Sequence, residues 1–160
     1  LSIGQGDLLV TPLQLSRAIA AIANNGKLLT PRLVKSSFSG SSGQIDYPAN
    51  IARDNLAGST TLQIIRDGMR RAVTSGSART FSALGVEVAA KTGTAQFDKK
   101  KEKTHSWLTA FAPFDRPQIA VTVIVEGGGE GFAVAAPVAK NMLEQYFNLP
   151  LSKIVAAPEG

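Results

Sequence analysis

Apolar residues recur along this chain with two different periods. Leu15, Ile19 and Ile22 fall at helical spacing behind Thr11-Pro12-Leu13-Gln14. A threonine at the N-cap, a proline at the first helical position and a glutamine three residues past the cap predict a capping box and a helix over 11–24. Asn25-Gly26 ends it with residues that tolerate positive φ. A second capping box is read in Thr60-Thr61-Leu62-Gln63. It opens a helix over about 60–74 with Leu62, Ile65, Met69 and Val73 as its apolar face and Arg66 and Arg70 pointing elsewhere. A third helix is expected over Ala133 to Phe147, from the stripe Val138, Met142, Tyr146 and Phe147, with Pro137 tolerated near the first turn.

Between the second and third helices the period changes to two. Val88 to Gln96 (VAAKTGTAQ), Ser106 to Pro113 (SWLTAFAP) and Gln118 to Val125 (QIAVTVIV) read as consecutive strands, with Asp115-Arg116-Pro117 as a turn. The short spacings predict hairpins and therefore an antiparallel meander, covered by the helix that follows it. Elsewhere Lys27 to Val34 looks extended, limited to an edge or a connection by Pro31. Residues 36–50 read as a surface loop with a short strand near Ile45, and Ala78 to Leu84 as a turn or helical piece after the break at Ser75-Gly76-Ser77. Glu126 to Gly131 (EGGGEG) reads as a flexible crossing. The expected fold class is mixed α/β (α+β): an antiparallel sheet with helical cover over 1–150, and a tail over 151–160.

Composition narrows the chemistry. With 44% apolar and 18% charged residues among 160, the chain can bury a core. The absence of cysteine removes disulfides and thiolate chemistry, and a single histidine, His105, removes a histidine-rich metal site. The formal charge is +5, concentrated in part at Asp98 to Thr104 (DKKKEKT), where four lysines face two acids. No aromatic residues interleave with those lysines, so the run reads as a solvated hairpin loop and not as a nucleic-acid surface. No apolar run approaches the roughly 20 residues of a membrane span, and no signal peptide is visible. The chain opens without methionine, mid-pattern, which suggests a piece of something longer.

Lys91-Thr92-Gly93, followed by Thr94, carries the chemistry. On a strand, residues 91 and 93 face one side and 92 and 94 the other. Gly93 allows a ligand to lie close against the backbone. At a sheet edge, free N–H and C=O groups pair with an extended peptide, a lysine supplies positive charge and threonine hydroxyls bond a carboxylate. Together they would dock a peptide ending in a carboxylate.

K-T-G is one of three elements, with S-x-x-K and an S-x-N type element, found in penicillin-binding proteins and serine β-lactamases. SIGQG at the start, GMRRAVTSGSA, AAKTGTAQ, HSWLTAFAP and QIAVTVIVEGGG together make the chain resemble, almost end to end, the C-terminal portion of a class B penicillin-binding protein transpeptidase domain. The tone of HSWLTAFAPFDRPQIAVTVIVEGGGEG resembles the penicillin-binding protein 2 type. The resemblance implies a partial β-lactamase/transpeptidase-like fold with K-T-G on an edge strand walling the cleft. It implies that Lys91 orients the S-x-N serine and places charge near a substrate carboxylate. Thr92 and Thr94 are the candidate hydroxyls for that carboxylate, Thr94 favoured, and the Thr94 N–H is an oxyanion-hole donor. It further implies a D,D-transpeptidase parent, anchored at the periplasmic face of the inner membrane by a segment outside this chain. Its partners would be peptidoglycan stem peptides, β-lactam antibiotics and a glycosyltransferase, with no metal or organic cofactor.

Two of the three elements are missing from these 160 residues. No lysine has a serine or threonine three places before it, and no Asn or Asp has one two places before it. Without a nucleophile and its base, covalent catalysis cannot run, so the segment alone is expected to be inactive. Origin as a piece of a full transpeptidase, a β-lactamase or D,D-carboxypeptidase parent, and a non-catalytic peptide- or β-lactam-sensing module remain the alternatives. His105 reads as a strand-end residue near the cleft mouth and not a base. Trp107 reads as packing or cleft wall, with contact to an apolar part of the substrate as the alternative. EGGGEG lacks the GKS/T ending of a phosphate loop. Ser75 to Ser77 are either cleft rim or a plain turn.

Overall fold

The computed structural model describes residues 8–40, 43–98 and 103–152. SIGQG and most of the lysine-rich loop lie outside them. Helix α1 spans Pro12–Ala23 and its capping box closes as the sequence predicts. The Gln14 N–H donates to Thr11 Oγ1 at 3.2 Å, and the Thr11 N–H donates to Gln14 Oε1 at 2.8 Å. Asn25 and Gly26, at φ of 63° and 93°, carry the chain away. Gly26 is also closely packed, since a Cβ there would lie 3.1 Å from Leu62 Cδ1 and that side chain would have to give way slightly.

Two short antiparallel pairs follow: β1 (Leu28–Leu29) with β4 (Ile51–Arg53), and β2 (Ser36–Ser39) with β3 (Gly43–Asp46). The strand expected near Ile45 is thus present, but as one arm of a hairpin within the predicted loop.

Helix α2 spans Ser59–Thr74 and corrects two expectations. Its N-cap is Gly58, with no side-chain cap, and not Thr60. Starting at Ser59 places Thr60 inside the first turn, where its hydroxyl no longer stands at the cap position. Gln63 instead donates one turn onward to Asp67 Oδ1 at 2.8 Å. The buried stripe is Leu62, Arg66, Met69 and Val73, while Ile65 is 39% exposed. Arg66 tolerates burial because its guanidinium donates to the Ala23 carbonyl and, at 2.6 Å, to the Phe114 carbonyl. It also lies over the rings of Phe111 and Phe114, 5.3 and 5.4 Å from their centroids.

A 3-10 turn at Arg79–Phe81 buries Phe81 and leads to the sheet. Strands β5 (Ala89–Asp98), β6 (Lys103–Ala112) and β7 (Ile119–Val125) are antiparallel in the order β5-β6-β7. The meander is as expected from the sequence. Both its faces are covered, whereas the sequence suggested cover from the last helix alone. Ala90, Leu108, Ala110, Ala112, Val121 and Val123 pack against Ala135, Ala136, Ala139 and Leu143 of helix α3 (Ala135–Tyr146). Ala89 and Phe111, on the opposite face, meet Ile19 and Ala23 of α1 and Met69 of α2.

The apolar stripe predicted for the last helix is also corrected. Met142 and Tyr146 are about half exposed, and alanines with Leu143 form the buried side. Alanine lets the helix backbone settle close to the sheet, and the larger residues are displaced to its margins. Val138 and Phe147 pack at the core's edge.

Candidate active-site wall at the edge strand

Strand β5 pairs with β6 on one side and has no partner strand on the other among the described residues. It begins in the core, with Val88, Ala89 and Ala90 fully buried, and emerges at Lys91, which is exposed. Apolar anchorage of the first half therefore presents the second half, Lys91-Thr92-Gly93-Thr94, at the margin. The register sets Lys91 opposite Thr109, Thr92 opposite Leu108, Gly93 opposite Trp107 and Thr94 opposite Ser106. By strand alternation Lys91 belongs to the face that carries Ala89 and Phe111, and the two threonines to the face that carries Ala90 and Leu108.

The Lys91 ammonium donates to the Thr92 carbonyl of its own strand. It takes no part in the ion pairs among the described residues, Arg70–Glu87 and Lys140–Glu144. The edge thus carries a surface cation that no carboxylate of the described residues neutralises by direct contact.

Each threonine is tied to a different loop. Thr92 Oγ1 and Ser77 Oγ are 2.6 Å apart, so the Ser75-Gly76-Ser77 turn lies beside the K-T-G strand and adds a hydroxyl to it. Thr94 Oγ1 donates to Glu130 Oε2 at 2.9 Å. The Gly131 N–H approaches the same hydroxyl at 3.5 Å.

The glycine-rich crossing is anchored to the sheet. Ser106 Oγ donates to the Glu130 carbonyl and accepts from the Ala135 N–H, both at 3.0 Å, and the Gly129 N–H donates to the Thr104 carbonyl at 3.2 Å. A Cβ on Gly131 would stand 2.5 Å from the carbonyl oxygens of both Gly93 and Trp107, so only glycine permits this approach. Gly93 itself faces Trp107 closely, with 3.2 Å between an added Cβ and the Trp107 Cβ. Its lack of a side chain serves packing within the sheet on both counts, besides leaving the edge open.

His105 stacks on Phe97 with ring centroids 4.1 Å apart, and its Nδ1 accepts the Gly127 N–H at 3.2 Å. That nitrogen is engaged, and the ring supports the loop. Ser77 and Glu130 are the site residues that sequence reasoning misses as partners of the threonines. The pattern around Ser77 signals only a rim or a turn. Glu130 lies in a segment whose glycines suggest mobility, and its contact with Thr94 joins residues 36 positions apart.

The sequence profile of the penicillin binding protein transpeptidase domain matches residues 1–144. The peptidoglycan D,D-transpeptidase MrdA of Haemophilus influenzae is 32% identical, over 95% of this chain and 26% of the relative. The peptidoglycan D,D-transpeptidase PbpA of Mycolicibacterium smegmatis is 34% identical, over 87% of this chain and 30% of the relative. The chain therefore spans under a third of the length of these relatives. Among solved structures, the imipenem acyl-enzyme complex of penicillin-binding protein A from M. tuberculosis superposes with a TM-score of 0.79 at 32% identity, over 91% of this chain and 33% of that one. Pseudomonas aeruginosa PBP2 in complex with WCK 5153 gives 0.74 at 33%, over 91% and 32%. Agreement of profile, sequence and fold over nine-tenths of its length makes this chain a member of the penicillin-binding protein transpeptidase family, of the class B type to which MrdA and PbpA belong.

Proposed function

We infer that this chain, over 1–150, supplies the K-T-G wall of a peptidoglycan D,D-transpeptidase of the penicillin-binding protein 2 type, with 151–160 as its tail. The observation that carries the reading is the placement of Lys91-Thr92-Gly93-Thr94 on the edge of β5 that lacks a partner strand among the described residues, with the ammonium exposed. An extended stem peptide adds to that edge through main-chain hydrogen bonds. Its terminal carboxylate is held by the charge of Lys91 and by the threonine hydroxyls, Thr94 foremost. The Thr94 N–H acts as one oxyanion donor, a contribution of about 100- to 1000-fold in rate where it has been measured in other enzymes.

The acyl step itself belongs to a serine outside these residues. That serine attacks the penultimate D-alanine carbonyl, the terminal D-alanine leaves with a proton, and an amine of a neighbouring strand takes the acyl group. β-Lactams acylate the same serine. The parent works at the extracytoplasmic face of the inner membrane beside a glycosyltransferase. No helix among the described residues is long and apolar enough to cross a membrane, and the anchor of the parent is assigned to a segment outside them.

Fluorescent penicillin tests the reading. The protein containing this segment should form a covalent adduct and the 160 residues alone should not. An adduct on the isolated segment would refute the missing-serine account, and no adduct on the containing protein would favour a sensing module. In that protein Lys91→Ala should slow acylation about 10- to 100-fold, the worth of a charge-assisted hydrogen bond. An unchanged rate constant would remove Lys91 from the site.

A further inference from the structure

We propose that Glu130 is a gate on the Thr94 hydroxyl, one that a ligand carboxylate must displace, and that it sets how well the site accepts anionic ligands. The proposal rests on the reading of the K-T-G strand as a ligand-binding edge. A threonine hydroxyl has one proton to donate, and the structure commits that of Thr94 to Glu130 Oε2 at 2.9 Å. A carboxylate arriving at this point meets a like charge and finds the donor engaged. Lys91 donates to the Thr92 carbonyl and forms no ion pair with Glu130, so it does not neutralise that carboxylate by direct contact.

The main chain at Glu130 and the side chain have different freedoms. The Glu130 carbonyl is held by Ser106 Oγ, and Gly131 is wedged against the Gly93 and Trp107 carbonyls. The backbone therefore stays where it is. The Glu130 residue is exposed, so its carboxylate can rotate into solvent without moving the loop. Opening costs one charge-assisted hydrogen bond at a surface site, and closing restores it. Such a contact discriminates by ligand charge. It opposes an acid and is nearly indifferent to the corresponding ester.

The test uses the full protein that contains this segment, native and with Glu130→Gln and Glu130→Ala. Second-order acylation by benzylpenicillin is compared with that by its methyl ester. Removing the charge should raise the acid-to-ester ratio, about ten-fold for Ala and by less for Gln, which keeps an acceptor for Thr94. A ratio that is unchanged or lower overturns the gate. Thermal melting identifies a variant that fails to fold, and the isosteric Gln then decides. Absence of acylation in every protein, native included, sinks the transpeptidase reading and not the gate. Calorimetric binding of N-acetyl-D-alanine to the same proteins then decides the gate: tighter binding by the variants supports it, and equal or undetectable binding overturns it.

Discussion

Among single residues, the K-T-G edge is shaped by side chains that are absent as much as by those present. Gly131 allows the crossing to press onto the sheet, and an added methyl would meet backbone atoms that cannot swing away. Gly131→Ala should lower stability by about 3 kcal/mol, the upper end for overpacking, and thermal unfolding would register it. A loss under about 1 kcal/mol would mean the crossing can lift off. Arg66 is the converse case of a large cation retained in the interior. Arg66→Met should cost about 2–3 kcal/mol, since the Ala23 and Phe114 carbonyls lose their donors. Arg66→Lys should recover little of it, because an ammonium cannot fork between two carbonyls and stack on two rings.

Among the helices and strands, legibility follows the range of the interactions. The capping box of α1 is local and readable from Thr11 and Gln14; Thr11→Ala should destabilise by about 1 kcal/mol in urea unfolding. The same four-residue pattern at Thr60 misleads, because the start of α2 is fixed by where its buried stripe meets β5 and α1, not by the pattern. Ile65 and Arg66 exchange roles for a related reason. Helical spacing puts both near one face, and only the carbonyls contributed by α1 and the β6–β7 turn make the arginine the one that is buried. In α3 the large apolar residues dominate the sequence pattern, yet close approach to the sheet selects the alanines.

Across the molecule as a whole, the end of the described chain is fixed to the fold by a buried carboxylate. Glu144 on α3 accepts from the Ser152 N–H at 2.7 Å and its hydroxyl at 2.6 Å, with Lys140 Nζ at 3.7 Å. Burial pushes the Glu144 pKa up, but the two Ser152 bonds and Lys140 outweigh it and leave the pKa below its ordinary value of 4.5. A folded-state pKa below the unfolded one gives stability that is present above the ordinary value and lost as pH falls through the folded one. Melting temperature should thus fall with acidification below about pH 4.5, and Glu144→Gln should flatten that part of the curve. An identical acid limb in the variant would show that the stabilisation lies elsewhere. The strand order β5-β6-β7, in a sheet with one face on α3 and the other on α1 and α2, leaves β5 at an edge among the described residues.

Three helices, a three-strand meander and the family were all written in the order of the amino acids. Helical period, strand alternation, turn chemistry and motif order act over short stretches of chain, which is why they can be read there. Folding in three dimensions settled the rest: which face of each helix is buried, that both sides of the sheet are covered, and which groups hold the hydroxyls of Thr92 and Thr94. Those outcomes depend on atoms brought together from 15 and 36 residues apart, and no local pattern encodes a contact of that range.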